Sequence, residues 1–339
     1  MKTSPFSKTF LRGSTSRTTR FISLLAISLC GVALSLSGCG GSGGVPSNSD
    51  IENGKRILLF RSGGSSDGGL YTIKNDGAEK TKVIDGAQQP GSGRLSRDRN
   101  FLTTALGSVR PRLAIAQISN GTPVNFADSS QYTSVYDPAF SPNTSSMVFV
   151  GDNDLFTIGT DSKNLKKLTN VTDGVPSTKI PPTTKSPAYL DDASGILYVK
   201  SEAVNKPAEG QPQPVIPTDI YRISTDGATE VKLTDSKNND APRARPDGAR
   251  ITFTTTRDGN PDGAHEIYAM NADGTSPTRL TTNNADDVTP VYSPDGKNIA
   301  FLSDRDKKGQ YKIYIMDENG SNVRKVSDSL AAVGTLDWR

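Results

Sequence analysis

The segment from residue 258 to residue 266 carries oxygen-bearing side chains at a spacing that suits a metal ion. Its first, third, fifth and ninth residues are Asp258, Asn260, Asp262 and Glu266. The sixth residue, Gly263, allows a sharp turn, as in loops that bind calcium through carboxylate and amide oxygens. The spacing therefore predicts a candidate calcium site, and the sequence suggests no other cofactor.

Other features of the same segment favour an ordinary bend. Pro261 stiffens the loop, and the twelfth position, at which an EF-hand has a bidentate Glu, is Ala269. Asp and Gly also recur in turns that bind nothing. A calcium loop and a structural turn both stay open as interpretations.

A single histidine, His265, limits the catalytic chemistry of the chain. Metal sites built from several histidines are excluded, and a Ser-His-Asp arrangement would have to use this one residue. Its place at the entrance to a predicted strand favours a solvated structural role. We also find no Gly-rich phosphate loop, no paired cysteines and no His-Glu-x-x-His helix. The sequence therefore predicts no catalytic residues and a protein that is not an enzyme.

Residues 1–38 have the pattern of an export signal. The first 20 residues contain five basic and no acidic side chains, and residues 21–36 form an uncharged apolar run. This run is shorter than the roughly 20 residues of a stable membrane-spanning helix. Residues 36–39, Leu-Ser-Gly-Cys, resemble a bacterial lipobox, in which the cysteine sulfur carries a diacylglycerol.

The lipobox resemblance implies cleavage before Cys39 and a lipid anchor on that residue. The alternative is an ordinary cleaved signal in which Cys39 is incidental. Gly40 follows the cysteine where an Asp would imply retention in the inner membrane, so the resemblance implies an outer-membrane location facing the periplasm if the host is Gram-negative. The other cysteine, Cys30, would leave with the signal, so no disulfide is expected.

The basic character of the chain lies in this signal. The whole sequence has 39 Lys and Arg against 36 Asp and Glu, but five of the basic residues and none of the acidic ones lie in residues 1–38. The remainder therefore carries a small net negative charge. A nucleic-acid binder would show a basic patch or stripe, so nucleic acid is excluded as a partner.

The chain divides into three segments. Residues 1–38 are the predicted lipoprotein signal peptide, and residues 39–52 are the lipidated cysteine and a flexible Gly/Ser linker with almost nothing to bury. Residues 53–339 contain internal repeats. Residues 247–281 recur at 295–327, an offset of 46 positions from Gly274 to Gly320, with short apolar runs separated by Asp-Gly or Asn-Gly turns.

Six such units predict an all-β, six-bladed propeller. More degenerate copies lie at residues 70–77, 113–121, 155–162 and 220–227. The first unit begins with residues 56–60, which match a second strand, whereas residues 335–339 resemble an innermost strand with no blade after it. We therefore predict that the C-terminal strand completes the first blade and that Trp338 is buried between blades.

The repeats themselves resemble those of a known family. The Ser-Pro-Asp-Gly turn at 293–296 with its Ile-Ala-Phe strand, the bend at 303–306 and the Ile-Tyr-Ile-Met-Asp strand at 313–317 are similar to the WD40-like (PD40) repeats of TolB-like propellers. The resemblance covers roughly residues 53–339. It implies a fold and not a function, since one fold hosts many functions.

Blade connectivity predicts where binding residues collect. Loops after the second and fourth strands lie on one face, and the two long insertions at 170–186 and 201–218 both belong to this class. The predicted contact residues on this face are Val215, Ile216, Pro212 and Pro214, with Arg110 and Arg112 as a polar rim. Lengthened loops that are merely tolerated are the alternative.

The sequence thus predicts a monomeric, extracytoplasmic lipoprotein, tethered to a membrane through its lipid. Its expected function is that of a non-enzymatic binding or scaffold propeller for an envelope protein or a cell-wall polymer. The alternative is an extracytoplasmic hydrolase or lyase that acts on peptides or saccharides.

Overall fold

The computed structural model describes residues 56–62, 68–86, 90–107, 111–126, 131–259, 263–326 and 332–339. Within these residues the regular elements are strands, arranged as six four-stranded antiparallel sheets and one two-stranded sheet. In the same ranges, no helix has the length and apolarity that a membrane span requires.

Each four-stranded sheet is one blade. Blade one contains β1 (Arg56–Ser62), β2 (Gly69–Lys74), β3 (Thr81–Asp85) and the last strand of the chain, β26 (Ala332–Leu336). Blade two contains β4 (Pro90–Leu95), β5 (Phe101–Leu106), β6 (Arg112–Gln117) and β7 (Pro123–Phe126). Blade three contains β8 (Val135–Phe140), β9 (Ser146–Gly151), β10 (Asp154–Gly159) and β11 (Lys166–Lys167).

The later blades are the more regular copies. Blade four contains β13 (Thr184–Tyr189), β14 (Ile196–Ser201), β16 (Thr218–Ile223) and β17 (Glu230–Lys232). Blade five contains β18 (Asn239–Ala244), β19 (Arg250–Thr255), β20 (Glu266–Asn271) and β21 (Thr278–Arg279). Blade six contains β22 (Asp287–Tyr292), β23 (Asn298–Ser303), β24 (Lys312–Asp317) and β25 (Arg324–Lys325).

The innermost strands form a closed ring. Contacts run from β26 to β4, β8, β13, β18 and β22 and back to β26. The second and third strands of a blade are covered on both faces by neighbouring blades, so buried positions predominate in them. In β23, for example, Ile299, Phe301 and Leu302 are all fully buried. This double coverage explains why the strands read as short, continuous apolar runs.

Tight turns join the first and second strands of blades two to six. In blade five Gly248 has a φ of +72°, and the Asp247 carboxylate accepts a hydrogen bond from the Ala249 amide at 3.0 Å. Blade six repeats the arrangement with Asp295, which accepts from the Lys297 amide at 3.1 Å. Glycine supplies the left-handed backbone that these turns need, and Asp closes them from its side chain.

The sixfold ring closes as the sequence predicts. Phe60 of β1 pairs with Leu336 of β26, so the first blade takes its innermost strand from the end of the chain. Trp338 is only 6% exposed and packs in the same buried cluster as Phe60. Closure leaves no blade without its innermost strand, which removes the free sheet edge that would pair with other chains.

The two long insertions touch each other, as predicted. β12 (Lys179–Ile180), in the connection from blade three to blade four, pairs antiparallel with β15 (Val204–Asn205), in the loop between β14 and β16. The Lys206 amide also donates to the Thr178 carbonyl at 2.9 Å. The insertions therefore form a small sheet of their own beside blade four.

Candidate functional site

The predicted contact residues lie on the insertion between β14 and β16. Val215 is 81% exposed, well above the other exposed large apolar side chains among the described residues, which reach at most 49%. Pro212 is exposed, whereas Pro214 and Ile216 are partly covered. We call residues 206–217 the insertion tip.

The insertion tip is held at its stem and stiffened by its composition. The Glu202 amide donates to the Pro217 carbonyl at 3.1 Å, which closes the loop at its base. Prolines at 207, 212, 214 and 217 fix the backbone φ angle at four positions of the tip. The exposed Val215 is thus presented on a segment with little conformational freedom to lose.

Of the two arginines predicted as a polar rim, the structure describes only Arg112. Arg112 is exposed at the start of β6, after a loop of the same class as the insertion tip. Arg110 lies outside the described residues, as does the predicted lipid attachment point, Cys39.

Beneath the insertions, a groove of about 470 Å³ runs between blades three and four and is lined by Val171, Pro182, Glu202 and Tyr221, among others.

Two of the four predicted calcium ligands, Asn260 and Asp262, also lie outside the described residues. Asp258 is engaged with its own blade: its carboxylate accepts a hydrogen bond from the Tyr268 hydroxyl at 2.7 Å and lies 3.3 Å from the Arg279 guanidinium. Asp306 of blade six accepts from the Tyr314 hydroxyl in the same way, at 2.7 Å. Asp258 therefore has a structural role that recurs in the next blade.

Glu266, the fourth predicted ligand, is fully buried and already paired. Its carboxylate lies 2.9 Å from Arg279, accepts the Asn283 amide at 2.9 Å and accepts the Thr281 hydroxyl. Calcium would have to compete with Arg279 for both described ligands. The calcium site stays a prediction, which calorimetric titration with calcium would test.

The contacts of Glu266 belong to a repeated structural clip. In blade three, Asp154 accepts the Thr169 hydroxyl at 2.7 Å and lies 3.0 Å from Lys167. In blade four, Asp219 accepts the Thr234 hydroxyl at 2.8 Å and lies 3.0 Å from Lys232. In each case an acidic residue at the start of the third strand binds a cation of the fourth strand and a threonine two residues beyond that strand, so the outer strand is fixed to its blade.

The single histidine forms a polar group with two neighbours. His265 Nδ1 lies 2.7 Å from Asp286 Oδ1, which also accepts the His265 amide at 2.7 Å. The Tyr311 hydroxyl donates to the other Asp286 oxygen. Burial alone would raise the pKa of Asp286, but the hydrogen bonds from His265 and Tyr311 prevail and lower it to about 2. These hydrogen bonds join the loop before β20 of blade five to the loop before β24 of blade six.

We expect Asp286→Asn to lower the free energy of unfolding by about 2 kcal/mol at neutral pH, the order that a pKa drop of this size implies. Because the folded pKa lies below the unfolded one, this stabilisation is complete above pH ~4 and is lost as the pH falls towards ~2. The difference between wild type and variant in urea unfolding should therefore shrink over that window. A difference that stayed constant from neutral pH to pH ~2 would contradict this role.

A cavity lies at the centre of the ring, on the face of the turns between first and second strands. Its volume is about 200 Å³, and we call it the arginine mouth. Its charged lining consists of Arg97, Arg99, Arg243 and Arg339, with the carboxylates of Asp191 and Asp337. Tyr189, Tyr292 and Trp338 complete the wall. Guanidinium groups thus outnumber carboxylates by two.

Sequence reasoning did not find the arginine mouth. In blade two the turn reads Arg97-Asp98-Arg99, where blades five and six have Pro-Asp-Gly. The next-to-last residue of the innermost strand is Ala139, Ala188 or Val291 in three blades, but Arg243 in blade five. These departures from the repeat were visible signals. Their significance depends on the ring, which brings separate blades to one axis.

Comparison with known proteins agrees with this fold. Residues 185–334 match the sequence profile described as the TolB beta propeller domain, PD40. An uncharacterized protein of Agrobacterium fabrum is 31% identical over 125 residues, which cover 35% of this chain and 41% of that protein. A TolB homolog of Chlorobium luteolum is 28% identical over 145 residues, which cover 31% of this chain and 33% of the homolog. The chain thus spans less than half the length of these relatives.

A solved structure extends the agreement over most of the chain. The crystal structure of TolB from Acinetobacter baumannii superposes with a TM-score of 0.63 at 18% identity, over 84% of this chain and 66% of that one. At this level of identity the likeness concerns the fold alone.

Proposed function

We propose, from the premise that this chain is a TolB-like β-propeller of the PD40 type, that it is a non-enzymatic binding protein of the cell envelope. Its partner would be an envelope protein or a cell-wall polymer that contacts the insertion tip. The observation that carries this proposal is Val215, an apolar side chain that is 81% exposed on a stiffened loop.

The setting of Val215 favours a role in binding over the ordinary exposure of a surface apolar residue. A single exposed apolar residue is ordinary, but Val215 stands next to Ile216 and between prolines on a tip that its own small sheet supports. A proline-rich segment is pre-ordered, so it loses little conformational entropy when a partner covers it. The neighbouring groove, with Glu202 and Tyr221, supplies polar groups that could fix the partner's orientation.

The export signal and the lipobox-like segment support the membrane tether. A lipid with two or more acyl chains, at about 0.8 kcal/mol per buried methylene, anchors a protein stably where one chain would not. The propeller would then be held at the membrane surface by residues 39–52, outside the cytoplasm.

Site-specific crosslinking in intact cells tests this function. We expect a photoreactive residue at position 215 to capture a discrete partner, whereas the same residue at Val323, which is 40% exposed on blade six, should capture none. Val215→Asp should abolish capture by a reporter at position 212 without changing thermal stability, because the side chain packs against little. Cys39→Ser should move the protein from the membrane fraction to the soluble fraction.

Equal capture at positions 215 and 323, or no capture at either, would refute the insertion tip as the contact. The alternative hypothesis, that the protein is an enzyme, predicts a different result. A hydrolase or lyase would release peptide or saccharide products from isolated envelope polymer when purified protein is added, and that result would displace the binding function.

A further inference from the structure

We propose that the arginine mouth binds a small polyvalent anion that carries carboxylate or phosphate groups. This site is separate from the insertion tip, since the two lie on faces served by different classes of loop. The inference therefore does not rest on the function proposed above.

Arg243 is a buried cation of the cavity wall. Its side chain is nearly buried, with a residue exposure of 9%, and it lines the arginine mouth. Its Nη1 donates to the neighbouring Pro242 carbonyl at 2.7 Å, and no carboxylate of the described residues forms an ion pair with it. Burial of a charged group that has no oppositely charged partner is costly. An anion beside Arg243 would therefore stabilise its guanidinium in this position.

The two carboxylates of the wall are already in use. Asp337 Oδ2 accepts the Leu95 amide at 2.8 Å, which joins blade one to blade two. Asp191 lies 3.0 Å from Arg339 Nη1. The Nε atom of Arg339 is buried without a hydrogen-bond partner in the described part of the chain, its nearest carboxylate being that of Asp337 at 4.0 Å. A donor thus remains for a ligand.

A further arginine lies beside the cavity wall. Arg94 occupies the same next-to-last position of β4 that Arg243 occupies in β18. Burial lowers the pKa of Arg94, and Asp337 and Asp137 offset this only in part while Arg339 adds to it. Burial likewise lowers the pKa of Arg99. In both residues burial disfavours the charged form, whereas Asp337 and Asp191 raise the pKa of Arg339 against the effect of its burial. An anion beside Arg94 and Arg99 would offset this cost.

The volume of the arginine mouth limits the size of the ligand that it can hold. About 200 Å³ holds the equivalent of roughly seven water molecules at about 30 Å³ each. This lies below the roughly 300–1,000 Å³ of pockets for drug-sized molecules. Guanidinium groups bind carboxylate and phosphate oxygens with paired, charge-assisted hydrogen bonds. A compact anion with two or three such groups fits both the volume and the donors.

Calorimetric titration of the full chain with citrate, and separately with inorganic pyrophosphate, tests the proposal at low ionic strength. We expect saturable binding of at least one probe, and the better probe identifies carboxylate or phosphate as the preferred group. Arg243→Gln should weaken that binding roughly tenfold or more, as expected for a lost charge-assisted pair. Arg99→Gln, in a turn of another blade, serves as a second variant should the first fail to fold.

The matched control is Arg324→Gln, on the exposed outer strand of blade six, which should leave affinity unchanged. Triethyl citrate, which has the same skeleton without charge, should not bind. Failure of both anions to bind saturably would overturn the site. So would equal affinity of wild type and both cavity variants, or equal binding of citrate and its triester.

Discussion

Trp338→Ala is expected to lower the free energy of unfolding by about 3–5 kcal/mol, the usual cost of removing a large aromatic side chain from a core. The indole is 6% exposed and lies in one buried cluster with Phe60 and Leu336 of blade one and Val291 of blade six. Its loss would leave a cavity beside the paired strands β1 and β26. Urea denaturation followed by circular dichroism measures the change.

Val215→Ala is the matched control for this substitution, since it also truncates an apolar side chain but at an 81% exposed position. It should alter stability by no more than about 0.5 kcal/mol. A Trp338→Ala variant as stable as this control would show that the closing strand is not fixed by its tryptophan.

Arg279→Met should also cost about 3–5 kcal/mol, because it leaves a buried carboxylate without its cation. Glu266 is fully buried, and Arg279 lies 2.9 Å from one of its oxygens. Thermal and urea unfolding of the purified variant would measure the loss. Glu266→Gln in the same chain should recover most of it, since the remaining oxygen still accepts the Asn283 amide while the unpaired charge is gone.

The equivalent cation of blade six provides the comparison. Lys325 pairs at 2.9 Å with Asp306, whose side chain is 40% exposed. Lys325→Met should cost far less than Arg279→Met, because exposed ion pairs contribute little to stability. Equal losses for Arg279→Met and Lys325→Met would mean that burial of Glu266 does not set the strength of the clip.

The overall fold could be predicted because the same pattern of strands and turns recurs along the sequence. The Asp-Gly turns mark the hairpins, and the missing innermost strand of the first unit is matched by an unassigned strand at the end of the chain. The adjacency of the insertions followed from connectivity alone. These inferences depend on local patterns and on strand order, both of which a sequence displays directly.

The chemistry of individual side chains was less accessible. The spacing from Asp258 to Glu266 predicts a calcium site, but it does not show the partners that Asp258 and Glu266 have on other strands. Only the paired strands β20 and β21 show that Arg279 faces Glu266. Similarly, Arg97, Arg243 and Arg339 are distant in the chain and meet only at the axis of the ring. Long-range convergence of this kind leaves no mark in the spacing of residues.

The sharing of blade one between the two ends of the chain has a consequence for biogenesis. A ribosome releases β1 long before β26, so β1 is among the last strands to gain all its neighbours. Until then its edge offers unpaired backbone groups to any other extended chain. β26 thus completes blade one: only a polypeptide synthesised through Leu336 reaches the fully paired state.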